Sequence, residues 1–464
     1  VHLLAENLIP TFTVDEILSP YVYVFYISFL VSFFFTPVMR SVAVYYKIID
    51  EPDSLRKIHR SPVAYLGGVS VFLGWLAGLA LSQLIFLHRN GPRLPEHLIV
   101  PLGVIIGACI IVALGLWDDV RRIRPSVKIA GQVLAAVALL SQGIGTHAAG
   151  PLIEPINLRL QAWGLSIDLL QEPIVLTVSS LMTVGVVVFC CNATNLMDGL
   201  DGLCGGVTAI IAGGFVFVSV YLATYGTGTT TNADALRVVL GLALLGAILG
   251  FVPYNFNPAS IFMGDAGSMF LGFASALMII LLAEVRSKWF LASMVMFALP
   301  VLDTTLAFAR RWVNGRPLFS ADKFHFHHQL VARGMTVRRA VLTSYGLAIA
   351  FVMLGAAIVY MRTRYVVAAY LVIFGSIIVA AYKMGMVHER PLVVKPQQLG
   401  SRKGEHIAAP INELETSSVL EISEDALPSS RPNSRPAPGT WDEPSPQTLD
   451  EVRPAAVRQE PSRV

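Results

Sequence analysis

The segment LWDDVRRIRPSVK ends an apolar run with two adjacent carboxylates, Asp118 and Asp119, followed closely by Arg121, Arg122, Arg124 and Lys128. Adjacent carboxylates can bind Mg²⁺ through oxygen, or one can act as a base while the other holds the metal. Acids at a helix C-terminus oppose the macrodipole, which favours a functional role over a solvated helix end. In CCNATNLMDGLDGLCGG, Asn192 and Asn195 precede Asp198 and Asp201. On a helical turn the two Asp would face the same way, and Gly199, Gly202, Gly205 and Gly206 would let a ligand approach the backbone. The alternating acids and terminal Glu of a calcium EF-hand are absent.

Two further clusters complete the set. In YNFNPASIFMGDAGSMFLG, Asp265 stands where the next apolar run opens, which puts a carboxylate able to carry a metal beside a helix N-terminus that attracts phosphate. ADKFHFHHQL brings His325, His327 and His328 into a loop that also holds Arg310, Arg311, Arg316 and Lys323. No HExxH and no Cys partner accompany them, so phosphate contacts are expected rather than zinc, and the hard acids elsewhere favour Mg²⁺ or Mn²⁺. KIHRSP adds Lys57, His59 and Arg60 to the same cationic rim.

The elements that must position these clusters are membrane spans. The chain is 54% hydrophobic and only 14% charged, with a mean hydropathy of +0.63, which excludes an ordinary soluble core. Runs long enough to cross roughly 30 Å of hydrocarbon as helix lie at 21–38, 66–87, 98–116, 127–142, 174–191, 204–223, 236–252, 267–283, 289–309, 341–361 and 366–385. Unpaired backbone polar groups are not tolerated in lipid, so these runs should be helices. The expected fold is an all-α polytopic membrane protein of about eleven transmembrane helices. The fourth and seventh are short.

Lys and Arg set the orientation. With the N-terminus outside, one side collects Arg40, Lys47, Arg56, Lys57 and Arg60, the Arg121 to Lys128 group, and Arg310, Arg311, Arg316, Lys323, Arg333, Arg338 and Arg339. That side should be cytoplasmic, together with the C-terminus. All four polar clusters fall on it, and ionisable groups at a membrane edge are costly enough to imply function. The first span is expected to remain as an anchor. Residues 1–387 should form the membrane domain, and 388–464, rich in Pro, Ser, Glu and Arg, a disordered cytoplasmic tail. The stretch 143–173 could hold a small hairpin. Cys109, Cys190, Cys191 and Cys204 lack metal or disulfide spacing and read as small buried hydrophobes.

Several carboxylates, many cations, a divalent metal and adjacent lipid suit phosphoryl transfer, which relies on positioning and charge neutralisation. The lipid side suggests one amphiphilic substrate. DDVRRIRPSVKIAGQ, NATNLMDGLDGL, IFMGDAGSMFLGF and the His cluster resemble, in the same order, the signatures of the polyprenyl-phosphate N-acetylhexosamine-1-phosphate transferases. The interrupted HFHH and the preceding LPVLDTTLAFARR are more similar to bacterial undecaprenyl-phosphate GlcNAc-1-phosphate transferases than to the MurNAc-pentapeptide branch. Ala64-Tyr65 before Gly67-Gly68 departs from the usual Pro and basic or small residue.

The resemblance implies attack by a polyprenyl phosphate oxygen on the β-phosphate of a UDP-sugar, with UMP leaving and Mg²⁺ (or Mn²⁺) as cofactor. Carried over by motif, Asp265 would bind the metal, and Asp118 or Asp119 would join it or would deprotonate or orient the lipid phosphate. Asn192, Asn195, Asp198, Asp201 and Phe262 would shape the uridine side. Lys57, His59, Lys128, His325, His327 and His328 would contact phosphate. Asp303 matches a family position without an evident role. The expected partners are a UDP-sugar, undecaprenyl phosphate and membrane lipid, with no nucleic acid, and a homodimer is compatible with this reading. The expected location is the bacterial inner membrane, with the site on the cytoplasmic side. The same chemistry with another UDP-amino sugar or UDP-MurNAc-pentapeptide is the alternative. A secondary transporter or lipid carrier would place polar groups near the midplane on broken helices.

Overall fold

The computed structural model describes residues 13–50, 62–88, 100–165, 168–225, 232–315, 325–361 and 363–383. Lys57, His59 and the 388–464 tail lie outside the described residues. In chain order the helices are α1 (Val14–Leu18), α2 (Val22–Tyr45), α3 (Gly67–His88), α4 (Leu102–Arg121), α5 (Pro125–Leu140), α6 (Gly150–Ala162), α7 (Glu172–Met197) and α8 (Leu203–Tyr225). They continue with α9 (Asn232–Asn255), α10 (Gly264–Ala283), α11 (Ser287–Met296), α12 (Ala298–Val313), α13 (Phe326–Ala332), α14 (Val337–Val359) and α15 (Thr363–Lys383).

Helix occupies every one of the apolar runs, as the need to satisfy backbone groups internally requires, and the protein is an all-α, multi-pass membrane protein. Among the described residues, eight helices are long and apolar enough to cross a membrane alone: α2, α3, α4, α7, α8, α9, α10 and α14. The run 289–309, expected as one span, is broken: α11 and α12 meet at an angle of 73°. Pro300, in the first turn of α12, has no N–H to return to the carbonyl of Met296, which ends α11, and this is a sufficient cause for the break. Counting that pair as one gives up to nine spans, while α5 and part of α15 are shorter apolar helices. The 143–173 stretch contains α6 rather than a hairpin.

α10 is the centre of the packing. All its residues except Asp265 are buried, and α7, α4, α3 and α11 pack around it. Small residues allow the approach: a Cβ added at Gly68 would lie 2.1 Å from the Gly267 Cα, so α3 and α10 touch backbone to backbone. Around this centre α2, α3 and α9 form one group, and α14 packs on α8 and α11.

Regular β structure among the described residues is limited to β1 (Ile49–Asp50) and β2 (Val63–Ala64), antiparallel with Ile49 opposite Ala64. Ala64 also bridges in parallel to Ile261. The Phe262 N–H donates to the Ala64 carbonyl at 2.8 Å, and the Phe262 carbonyl accepts from Gly67 at 3.0 Å. This pairing fixes Phe262 at the approach to α10.

The far end of α10, about 30 Å away by helical rise, is held by charge. Arg237 of α9 donates to the Leu281 carbonyl at 3.2 Å and pairs with Asp234 at 2.5 Å. Both side chains are buried. Removing one partner of a buried pair strands the other, so Arg237→Met should destabilise the protein by about 3 kcal/mol. Adding Asp234→Leu should recover part of that loss. Thermal midpoints of the single and double variants in detergent check both statements.

Candidate active site

Asp118, Asp119, Asn195 and Asp265 meet at the start of α10, and the histidine cluster reaches the loop after α7. Met263 occupies the N-cap position without a side-chain cap. The first N–H groups of the helix are instead taken by Asp119 of α4: Asp265 N–H donates to Oδ1 at 2.8 Å and Ala266 N–H to Oδ2 at 3.1 Å. A carboxylate at a helix N-terminus satisfies orphan donors and complements the macrodipole. Gly264 makes the approach feasible, since its φ is +73° and an added Cβ would lie 2.7 Å from Asp119 Oδ2.

Asp118 points to a different partner. Its Oδ1 accepts from Ile123 N–H at 2.7 Å. Its Oδ2 lies 2.5 Å from Lys128 Nζ, and the same ammonium lies 2.5 Å from Asp265 Oδ2. Lys128, anticipated as a phosphate ligand, therefore bridges two carboxylates. It comes from the start of α5, where Pro125 sits at the first helical position with its φ already suited to a helix.

Asp265 is also held by α7. Asn195 Nδ2 donates to Asp265 Oδ1 at 2.9 Å and to Ser268 Oγ at 3.0 Å. Asn192, one turn earlier, donates to Gln132 Oε1 of α5 at 2.8 Å. Both amides thus face α5 and α10, on the carboxylate side of the site. Gln132 and Ser268 were not singled out in the sequence. Their signal was present, since Gln132 lies four residues after Lys128 and Ser268 three after Asp265, the helical spacing for one face.

The expected helical turn carrying Asp198 and Asp201 does not form. α7 ends at Met197, and Asp198 has a non-helical ψ of 53°. Asp201 turns to the loop before α10, where its Oδ2 accepts from Asn257 Nδ2 at 2.9 Å and Ala259 N–H at 3.1 Å. Burial, with the charges of Asp265, Asp119 and Asp201, pushes the Asp198 carboxyl up to about 8.

The glycines of this loop make room for side chains. A Cβ at Gly199 would lie 2.4 Å from His327 Nε2 and 3.2 Å from His328 Nε2. The histidines therefore reach the Asp198 loop. Asp303, unassigned from the sequence, organises them: it is buried on α12, accepts the Phe326 N–H at 2.7 Å, and faces Nδ1 of His325 at 3.4 Å and of His327 at 3.3 Å. The rings of His327 and His328 are 4.3 Å apart. Tyr65 lies 5.9 Å from Phe262, centroid to centroid. Its hydroxyl is raised above its usual range, first by burial and then by neighbouring Asp50.

Acids, the Lys128 ammonium and imidazoles gathered at the ends of apolar helices define a membrane enzyme suited to anionic substrates. Residues 101–283 match the family described as glycosyl transferase family 4. The chain is 30% identical over 335 residues to the probable undecaprenyl-phosphate N-acetylglucosaminyl 1-phosphate transferase of Bacillus subtilis (strain 168), covering 71% of this chain and 83% of that protein. It is 32% identical over 372 residues to the decaprenyl-phosphate N-acetylglucosaminephosphotransferase of Mycobacterium tuberculosis (strain ATCC 25618 / H37Rv), covering 76% and 85%. A phospho-N-acetylmuramoyl-pentapeptide-transferase of Bacillus cytotoxicus matches at 28% over 345 residues, covering 71% and 94%. The chain belongs to glycosyl transferase family 4, as an enzyme that transfers a phospho-sugar.

Two outcomes test the site. Gly199→Ala must displace His327, and misplacement of about 1 Å can cost up to about 100-fold in rate, so transfer should fall by at least about tenfold with little change in thermal midpoint. Asp198 holds its proton in the folded state to about 8 but releases it near 4 when unfolded. The unfolded chain therefore binds fewer protons in that window, and the Asp198 contribution to stability declines as pH rises. Thermal midpoints of Asp198→Asn and the unchanged protein should accordingly diverge in favour of the variant from pH 4 to 8, with the gap constant above.

Proposed function

We propose that this protein transfers GlcNAc 1-phosphate from UDP-GlcNAc to undecaprenyl phosphate in the bacterial inner membrane, with its site on the cytoplasmic side. The observation that carries the reading is Lys128 shared between Asp118 and Asp265 at the start of α10. The relatives whose names specify N-acetylglucosamine match at higher identity than the muramoyl-pentapeptide enzyme. The Lys and Arg bias of the loops supports the cytoplasmic placement.

In this reaction a phosphate oxygen of the lipid bonds to the β-phosphorus of the donor. The bond from that phosphorus to the bridging oxygen breaks, and UMP leaves with the electron pair. A phosphate monoester is largely dianionic at neutral pH, its second pKa being about 6, so the acceptor needs orientation and charge neutralisation more than a strong base. Asp118, with Lys128, orients the lipid phosphate. Asp119 takes the first N–H groups of α10 and so fixes the position of Asp265. Asp198, Asp201 and Phe262 form the uridine side, and His325, His327 and His328 lie toward the diphosphate. Lys57 and His59 would also contact phosphate.

The residues fit Mg²⁺. Asp118 and Asp265 share Lys128, Asp119 sits on the N–H groups of Asp265 and Ala266, and Asp198 feels the charges of Asp265 and Asp119, a grouping of hard oxygen donors that suits a divalent cation. No trio of His, Cys, Asp and Glu among the described residues forms a ready metal cage, and Mg²⁺ commonly takes one or two carboxylates plus substrate phosphates. Asp265 would hold it with Asp118, and Mn²⁺ could substitute. When bound, the ion neutralises charge on the diphosphate. The chain's own residues keep the two phosphates in line for displacement.

Membranes containing the protein, incubated with undecaprenyl phosphate, Mg²⁺ and radiolabelled UDP-GlcNAc, should yield label in the lipid phase and stoichiometric UMP. Both products should vanish with EDTA and fall at least about 1000-fold with Asp265→Ala. Label from a different UDP-amino sugar alone would overturn the assigned donor. Silence with every UDP-sugar from folded protein would overturn the transferase.

A further inference from the structure

α14 lies outside the family-matched residues 101–283, yet two of its side chains reach the loops of the site. Tyr345 donates its hydroxyl to the Gly202 carbonyl at 2.5 Å, and Arg338 Nε donates to the Asn257 carbonyl at 2.9 Å. We propose that Tyr345, seconded by Arg338, is a positioning residue for the UDP-sugar, acting through the Gly202 peptide on Asp198 and Asp201. This rests on the proposed assignment of the Asp198–Asp201 loop to the donor.

Gly202 is gripped on both sides. Its N–H donates to Asn255 Oδ1 at 3.1 Å, and Asn255 Nδ2 donates in turn to the Ile261 carbonyl at 3.0 Å, next to Phe262. Its carbonyl takes the Tyr345 hydroxyl. Asp201 closes the arrangement by accepting from Asn257 and Ala259, and Arg338 holds Asn257 from α14. The Asp198–Gly202 loop and the Asn255–Phe262 loop are therefore one hydrogen-bonded unit anchored to α14.

α8 is shaped to admit the tyrosine, since a Cβ at Gly206 would meet its hydroxyl oxygen and the adjoining ring carbon. Packing between α8 and α14 alone would be served by a phenylalanine ring. The O–H adds a bond to the carbonyl of Gly202, the residue after Asp201, and a polar group in this setting is placed at a cost unless it bonds. Its contribution is to keep the donor-side carboxylates in position before substrate arrives, which lowers the ordering cost of binding.

The test is Tyr345→Phe in the full-length protein, with both substrates varied. Loss of one hydrogen bond should raise the KM for UDP-GlcNAc about fivefold, with the same factor lost in inhibition by UMP. The turnover number and the KM for undecaprenyl phosphate should stay within twofold, and the thermal midpoint should fall by no more than about 4 °C. Arg338→Gln should shift the donor KM in the same direction, by less. An unchanged donor KM in Tyr345→Phe, with or without a lower thermal midpoint, would show that the ring only packs and would overturn the proposal. A rise confined to the lipid KM would instead overturn the donor assignment of the loop.

Discussion

α10 runs through the middle of the protein with all but one residue buried, so the peptide N–H groups of its first turn must find partners other than water. Asp119 supplies them with both carboxylate oxygens. That constraint locates the end of α4 against the start of α10 and brings Asp118 within reach of Lys128. It also aims Asp265 at the same ammonium and at Asn195.

Electrostatic imbalance makes the arrangement a site and not only a joint. Carboxylates from α4 and α10 meet at Lys128, and the Asp198 proton in the loop after α7 is held to about 8 because burial and its acidic neighbours disfavour another negative charge. Such a cluster is stabilised by whatever cations and hydrogen-bond donors arrive with a substrate. The opposite end of α10 shows the contrast: Arg237 and Asp234 balance each other there, and Arg237 serves the helix carbonyl at Leu281.

Glycine has a different meaning in the folded protein from the one its sequence context suggests. Around Asp198 and Asp201 the glycines read as openings for a ligand. Gly199 makes space for His327 and Gly206 for Tyr345, so the openings are filled by side chains from α13 and α14. These contacts join segments more than 100 residues apart, and no local spacing encodes them.

The helices were legible because lipid leaves an apolar run almost no alternative to internal hydrogen bonding, and Asp118, Asp119, Asp198, Asp265 and the histidines were legible because charge at such positions is costly. Sequence by itself determined the all-α class, the membrane setting and the chemical character of the site. Tertiary structure alone decided how those residues divide the work. Asp119 binds a helix terminus while Asp118 meets Lys128, Asp303 gathers two histidines, Asp201 joins two loops, and the span at Pro300 bends. Each of these depends on which backbone or side-chain group lies opposite, and that is fixed by helix packing rather than by neighbours along the chain.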